Sequence, residues 1–411
     1  MGKIVCASLL FAASLGVTGP ATADWIIAGN ATTAKNENAL YAATVAFRRG
    51  HNDGALVLLT KLLHSGNLSP HDSSVAHYDR GFIYLSEGKV RNAVSDFSAA
   101  IEQRPRYGDA YVMLANAYSS MGQVAQAIAA LKAALQVDPH DGAAHANLGS
   151  AYHAQGLDNE ALSEYDQAIR TQASASAYEG RGLIYLLKGK NDRAISDLSA
   201  AIRLEPDYAD AYVNRGVAYY NTGRDDLAAA DLGTSLGLRP DNADARIDQA
   251  VVYVELGQLD RAIADYDFAI GKKPDDLALY RARGNTYLSE RQYAGAIADF
   301  DFVLARNPKD AISLINRGAA FYHVARFGDA ISDYQAAIRI TPRDARLYND
   351  LGSAYGAEGQ LNQAVTAYDE ALRIQPDYAD ALRNREGALR AQATGQSVSA
   401  DGAVGISSRS R

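Results

Sequence analysis

From residue 74 to residue 378, apolar positions recur at the three-and-four spacing of amphipathic helices. The helical runs come in pairs, each pair parted by a glycine and closed by a proline. Pro105 and Pro139 lie 34 residues apart, and so do successive members of the series Pro206, Pro240, Pro274, Pro308, Pro342 and Pro376. A period of 34 is that of a helix–turn–helix unit. With each proline at position 32, nine units follow: 74–107, 108–141, 142–174, 175–208, 209–242, 243–276, 277–310, 311–344 and 345–378. The unit 142–174 has lost its proline and one residue.

Three columns fix the register. Position 8 is Gly or Ala, position 11 is Tyr or Phe, and position 20 is Ala in all nine units, from Ala93 to Ala364. Small residues at 8 and 20 let two helix axes approach closely, and the ring at 11 is expected to fill the space beside them. Glycine at position 15, as in Gly88 and Gly122, ends the first helix (A) in a tight turn. Proline at 32 ends the second (B).

These columns resemble those of the tetratricopeptide repeat (TPR) family over residues 74–378. The resemblance implies an all-α fold, a right-handed superhelical solenoid whose concave wall is formed by the A helices. Residues 36–73 read as a degenerate first repeat, with Gly50 at the turn and Ala55 at the packing column. Residues 379–393 resemble the solvating helix that closes such arrays. Residues 394–411 lack periodicity and are expected to be disordered. The irregular end Arg170–Ser176 leaves two readings open, a hinge dividing 36–174 from 175–392 or a harmless deletion.

The first residues follow another pattern. Lys3, the apolar run Ile4–Val17 and the small-x-small site before Asp24 have the layout of a secretory signal peptide, 1–23, followed by a segment 24–35. The run is shorter than the ~20 residues of a spanning helix, and no later stretch approaches that length. An exported protein, periplasmic or secreted, is expected, with no membrane span in the mature chain. The one cysteine, Cys6, lies in this leader, so neither a disulfide nor a cysteine zinc site is expected.

A charge pattern stands out within the repeats. Position 7 is Arg in five units, Arg80, Arg181, Arg215, Arg283 and Arg317, and each of these carries Asp at position 23: Asp96, Asp197, Asp231, Asp299 and Asp333. Structural ion pairs are expected, within a unit or between neighbours, although descent from one duplicated unit would also produce the pattern.

Charge and chemistry narrow the function. With 40 Lys and Arg against 48 Asp and Glu, the chain lacks the positive surplus that nucleic acid demands. No nucleophile elbow, P-loop or dinucleotide fingerprint occurs, and no catalytic residue is assigned. His145 and His153 share a helix face near His140, and His51, His64, His71 and His77 group near the N-terminal repeat, but none has metal-ligand spacing. Neither metal nor cofactor is expected. Position 5 never carries the Lys by which TPR clamps hold the acidic C-termini of cytosolic chaperones.

A non-enzymatic scaffold for a protein or peptide partner is the leading reading. A regulatory subunit or hydrolase built on the repeats, and a structural homo-oligomer, are the alternatives. At 100° per residue, positions 2, 5, 9 and 12 of helix A gather about 135° from the packed positions 4, 8 and 11. In the family that face is the concave wall. Here it carries Leu183, Leu186, Val213, Val217, Tyr220, Ile247, Val251, Val254, Leu288, Ile315 and Tyr322. A continuous apolar wall open to a partner segment is expected.

Overall fold

The computed structural model describes residues 31–394, and among them twenty-one α-helices and no strand. The leader 1–23, most of the segment 24–35 and nearly all of the tail 394–411 lie outside the described residues. Within each compact unit, consecutive helices form A–B hairpins that pack on their neighbours in sequence order. Most A helices begin on the first residue of their repeat, as in Gly108–Ser120, Ala243–Glu255 and Ala345–Ala357. Two boundaries differ from expectation. The first helix starts at Ala31, and helix A of the repeat 74–107 starts at Pro70. There the Ser69 hydroxyl accepts the Asp72 N–H at 3.0 Å and Pro70 fits the first turn, which adds a turn to the helix.

The caps are kept across the short repeat. Asp141, Asn242, Asp276, Asp310 and Asp344, each the last residue of its repeat, cap the helix that follows. In the repeat 142–174 the last residue is Ser174, and its hydroxyl accepts the Ala177 N–H at 3.2 Å. The deletion therefore removes a loop residue and keeps the cap. Two bridges also cross this junction, Arg181–Asp166 at 2.6 Å and Lys188–Asp158 at 3.0 Å. The described chain instead divides into two compact units with the boundary between Ala218 and Tyr219, inside helix Ala209–Asn221.

Each A helix of the nine repeats ends in a left-handed residue. It is glycine in seven of them, with φ between 69° and 82°, but Arg291 and Ala325 hold the same place at 61° and 59°. The alanine at position 20 is fully buried in every repeat. The ring expected to fill the space beside position 8 comes from position 24, not 11. A Cβ on Gly81, Gly284, Gly318 or Gly352 would come within 2.6–3.0 Å of Phe97, Phe300, Tyr334 or Tyr368. Position 11 lies at the rim, where most of its rings stay partly exposed. In the unit ending at Ala218 the largest core gathers Tyr78, Phe97, Met113 and Leu131. In the unit starting at Tyr219 one core gathers Leu314, Tyr334 and Leu347, and another forms around Phe300.

Candidate interaction surface

The rim between helices A and B is organised by arginine. Arg80, Arg181, Arg283 and Arg317 each grip the position-23 aspartate of their own repeat through Nε and Nη2, at 2.6–2.9 Å. This planar, two-bond geometry is one that arginine and carboxylate satisfy together. The remaining Nη1 reaches back to position 25 of the preceding repeat: Thr60, Asp166, Asp267 and Asp301, respectively. Arg215 makes the same backward contact with Ser199 at 3.0 Å, and Asp231 is buried. Arg385 of the closing helix does so with Asp369 at 2.5 Å. In these four repeats the pair of positions 7 and 23 therefore closes within a repeat, and the contact to the neighbour goes to position 25, which the sequence pattern did not single out.

Aromatic rings flank the same guanidinium groups. Arg283 sits over Tyr280 and Tyr287, 5.6 and 5.8 Å from their centroids. Burial pushes the Asp299 and Asp333 carboxyls up, and their arginines offset that only in part. At Asp96 burial acts the same way, but hydrogen bonds from Arg80 and His77 outweigh it and hold the group below its ordinary value. The repeat 243–276 has Gln249 at position 7, and there Arg246 reaches Asp265 from position 4 at 2.9 Å.

A second polar system runs between successive A helices. Position 6 of one repeat donates to position 9 of the repeat before (Asn147 to Asn116 at 3.3 Å, Asn316 to Asn285 at 2.8 Å) or to position 5 (Asn214 to Glu179 at 2.8 Å, Asn384 to Asn349 at 3.0 Å). Carboxylates replace asparagine in parts of this ladder. Burial pushes Asp79 up to about 6, against hydrogen bonding from Thr44 and attraction from Arg48. It pushes Glu179 up to about 7, with repulsion from Asp210 added, against hydrogen bonds from Asn214 and Tyr208. Asp248 and Asp350 also rise to about 7, chiefly by burial. The Asp248 Oδ2 atom has no hydrogen-bond partner among the described residues.

The ladder changes the expected apolar wall. Leu186, Val213, Val217, Leu288, Ile315 and Tyr322 are buried. Ile315 and Tyr322 belong to the core with Phe321 and Leu347, and Leu288 packs with Phe300 and Ala319. Neighbouring A helices cover positions 5, 9 and 12, so a face that looks free on a single helix is largely interior. Leu183, Tyr220, Ile247, Val251 and Val254 remain partly exposed. The last four fall in one compact unit, on the end of helix Ala209–Asn221 and on helix Ala243–Glu255.

The histidines join the same network. His77 Nδ1 lies 2.8 Å from Asp96, His145 Nδ1 2.7 Å from Glu164, and His153 Nδ1 2.8 Å from Asp158. Among the described residues, no group of three His, Cys, Asp or Glu is placed to hold a metal ion. No described helix is long and apolar enough to cross a membrane.

Comparison with known proteins returns the repeat throughout. Family models described as tetratricopeptide repeat match residues 84–133, 112–177, 159–198, 209–242, 226–276 and 281–345. A further model, described as TPR repeat, matches 182–223 and 353–385. No curated protein matches the chain. Among solved structures, a thermophilic TPR protein of Thermus thermophilus is 24% identical, covering 45% of this chain and 99% of its own, with a TM-score of 0.38. YrrB, a TPR protein with an unusual peptide-binding site, is also 24% identical, over 46% and 97%, with a TM-score of 0.39. A tetratricopeptide repeat protein from Parabacteroides merdae ATCC 43184 is 19% identical, over 69% and 98%, with a TM-score of 0.38. The register of small residues, the A–B hairpins and the family models agree, and the chain belongs to the tetratricopeptide repeat family.

Proposed function

We propose that this protein is an exported, non-enzymatic scaffold that holds a segment of a partner protein against helix Ala243–Glu255 and Tyr220, within the unit that starts at Tyr219. A role in protein interaction in general follows from the repeat family. The finer reading rests on one observation: Tyr220, Ile247, Val251 and Val254 stay partly exposed within one compact unit, while Leu288, Ile315 and Tyr322 of the same unit are buried. Such a group suits the apolar side chains of an extended or helical segment, with little dependence on salt. The leader-like first 23 residues support export to the periplasm or beyond. The test is Val251→Glu, compared with the parent chain in partner capture from an envelope fraction. Loss of the captured partner with an unchanged helical melt supports the reading. Equal capture would remove this patch from consideration.

One observation favours self-association as a second reading. Tyr41 and Val57, on the outer side of the first hairpin, are 60% and 67% exposed, and Leu58 beside them is exposed too. If the chain pairs through this end, Val57→Lys with Leu58→Lys will shift it to the monomer in sedimentation.

A further inference from the structure

Inside the unit that starts at Tyr219, one step of the polar ladder sets a buried carboxylate against apolar positions. Asp350 stands at position 6 of its repeat and is only 2% exposed. The places that would offer it a polar partner, 35 and 31 residues earlier, are Ile315 and Ala319, which carry no polar side-chain atom. Its hydrogen bond comes from its own neighbour, Asn349, at a long 3.4 Å. The arginine device is missing at the same step. Position 7 is Leu351 and position 23 is Ala367, whereas the junction before has Arg317 on Asp301 and the junction after has Arg385 on Asp369.

We propose that the junction between the repeats 311–344 and 345–378 is a proton-operated hinge, closed while Asp350 is the neutral acid and loosened when Asp350 is charged.

The charged form is disfavoured chiefly by burial, against the hydrogen bond from Asn349. Helix Ala311–His323 presents Ile315 and Ala319 in register. Tyr334 and Tyr368, from the B helices of the two repeats, and Tyr378 beyond them lie near the carboxylate and stay neutral, their own ionisation pushed up by burial first and by the Asp350 charge after it. Asp380 of the closing helix repels it. Arg346, one turn earlier on its own helix, attracts it, but that guanidinium also faces Asp344 at 3.7 Å. Neighbouring junctions would resist a buried charge through their arginine bridges, but this one is held by apolar packing among Leu314, Ile315, Leu347 and Leu351 and by one neutral hydrogen bond, Gln335 Nε2 to the Tyr355 hydroxyl at 2.7 Å. Ionisation thus acts at a junction that lacks the arginine bridge of the junctions on either side. The piece released comprises helices Ala345–Ala357, Leu361–Ile374 and Ala379–Thr394.

Hydrogen–deuterium exchange of the full chain, read by mass spectrometry and corrected for the chemical exchange rate, tests this directly. With the Asp350 carboxyl near 7 in the fold and near 4 when released, protection across residues 345–394 should fall about tenfold between about pH 6 and about pH 8. Helices Leu277–Ser289 and Tyr293–Arg306 serve as the internal reference. In Asp350→Asn, which keeps the shape but cannot ionise, the fall should vanish. A parent chain whose protection over 345–394 does not change with pH overturns the proposal, whether or not the variant folds. An Asp350→Asn protein that folds and shows the same fall overturns it as well.

Discussion

Arg317 and Asp333 meet fork to fork across the groove between the two helices of one repeat, Nε to Oδ2 at 2.8 Å and Nη2 to Oδ1 at 2.7 Å. The carboxylate is buried and the guanidinium keeps 21% of its side-chain surface in water. Such a pair sets geometry more than it adds stability, because both ions have lost much of their hydration.

Removing one partner should therefore cost more than removing both. Arg317→Leu is expected to destabilise by about 3 kcal/mol, the lower end for a buried pair because the arginine is partly hydrated. Arg317→Leu with Asp333→Tyr should recover most of that loss. Urea melts of the two proteins decide it; equal midpoints would show that the aspartate tolerates isolation.

The backward contact to the previous repeat should matter less. Asp301 is 54% exposed, so Asp301→Ala should cost no more than about 1 kcal/mol, and less in high salt. A larger, salt-independent loss would mean that the junction depends on this bond.

Glycine substitutions should separate packing from conformational entropy. Gly352→Ala would bring a Cβ within 2.6 Å of the Tyr368 ring, and a loss of about 1–3 kcal/mol is expected in a thermal melt. Gly387→Ala, in the closing helix with no atom within 4 Å, should gain up to about 1 kcal/mol. Ala325→Gly, at φ 59°, should also stabilise, by about 1 kcal/mol, because the left-handed turn strains any Cβ.

Acidity should stabilise the fold. Asp79, Glu179, Asp248 and Asp350 hold protons more tightly folded than unfolded, at about 6 for the first and about 7 for the others. Their contribution is greatest below the unfolded carboxylate values and is lost as pH rises through the folded ones. Asp96 and Asp158 act in the opposite sense, since hydrogen bonds from Arg80 and His77 and from His153 and Lys188 outweigh burial and hold them low. Their contribution fades only in stronger acid. Calorimetry at constant ionic strength should show Tm lower at about pH 8 than at about pH 5.5 by about 4 °C or more. A Tm that rises over that interval would contradict the assignment.

Much of this was legible in the chain because close packing leaves single-residue signatures. The alanine at position 20 admits no larger side chain, and its column survives in every repeat. The arginine and aspartate columns likewise announced a pair. Position 24 escaped notice because its Phe, Tyr and Leu read as ordinary core, although they are what makes the small residue at position 8 necessary. The apolar wall was misjudged at Ile315 and Tyr322 for a physical reason. Angles around a single helix say which residues share a face, while exposure depends on what the next helix brings. The asparagine ladder was hidden similarly, since its partners lie 31 or 35 residues apart on different helices.

The backward reach of arginine makes position 7 a plug and position 25 of the preceding repeat its socket, although the repeat 209–242 carries the plug Arg215 and has only Gly233 at position 25. Asp369 offers the last socket of the repeats, and the closing helix fills it with Arg385, while Thr60 serves as a neutral socket in the first hairpin. A whole repeat carrying both can be copied in or cut out, and the cut ends still mate. Chains of this kind can change length in steps of one hairpin without a new electrostatic arrangement at the seam. The repeat 345–378 does not mate in this way: it offers a socket but brings no plug, so copies of it would join without an arginine bridge at the seam.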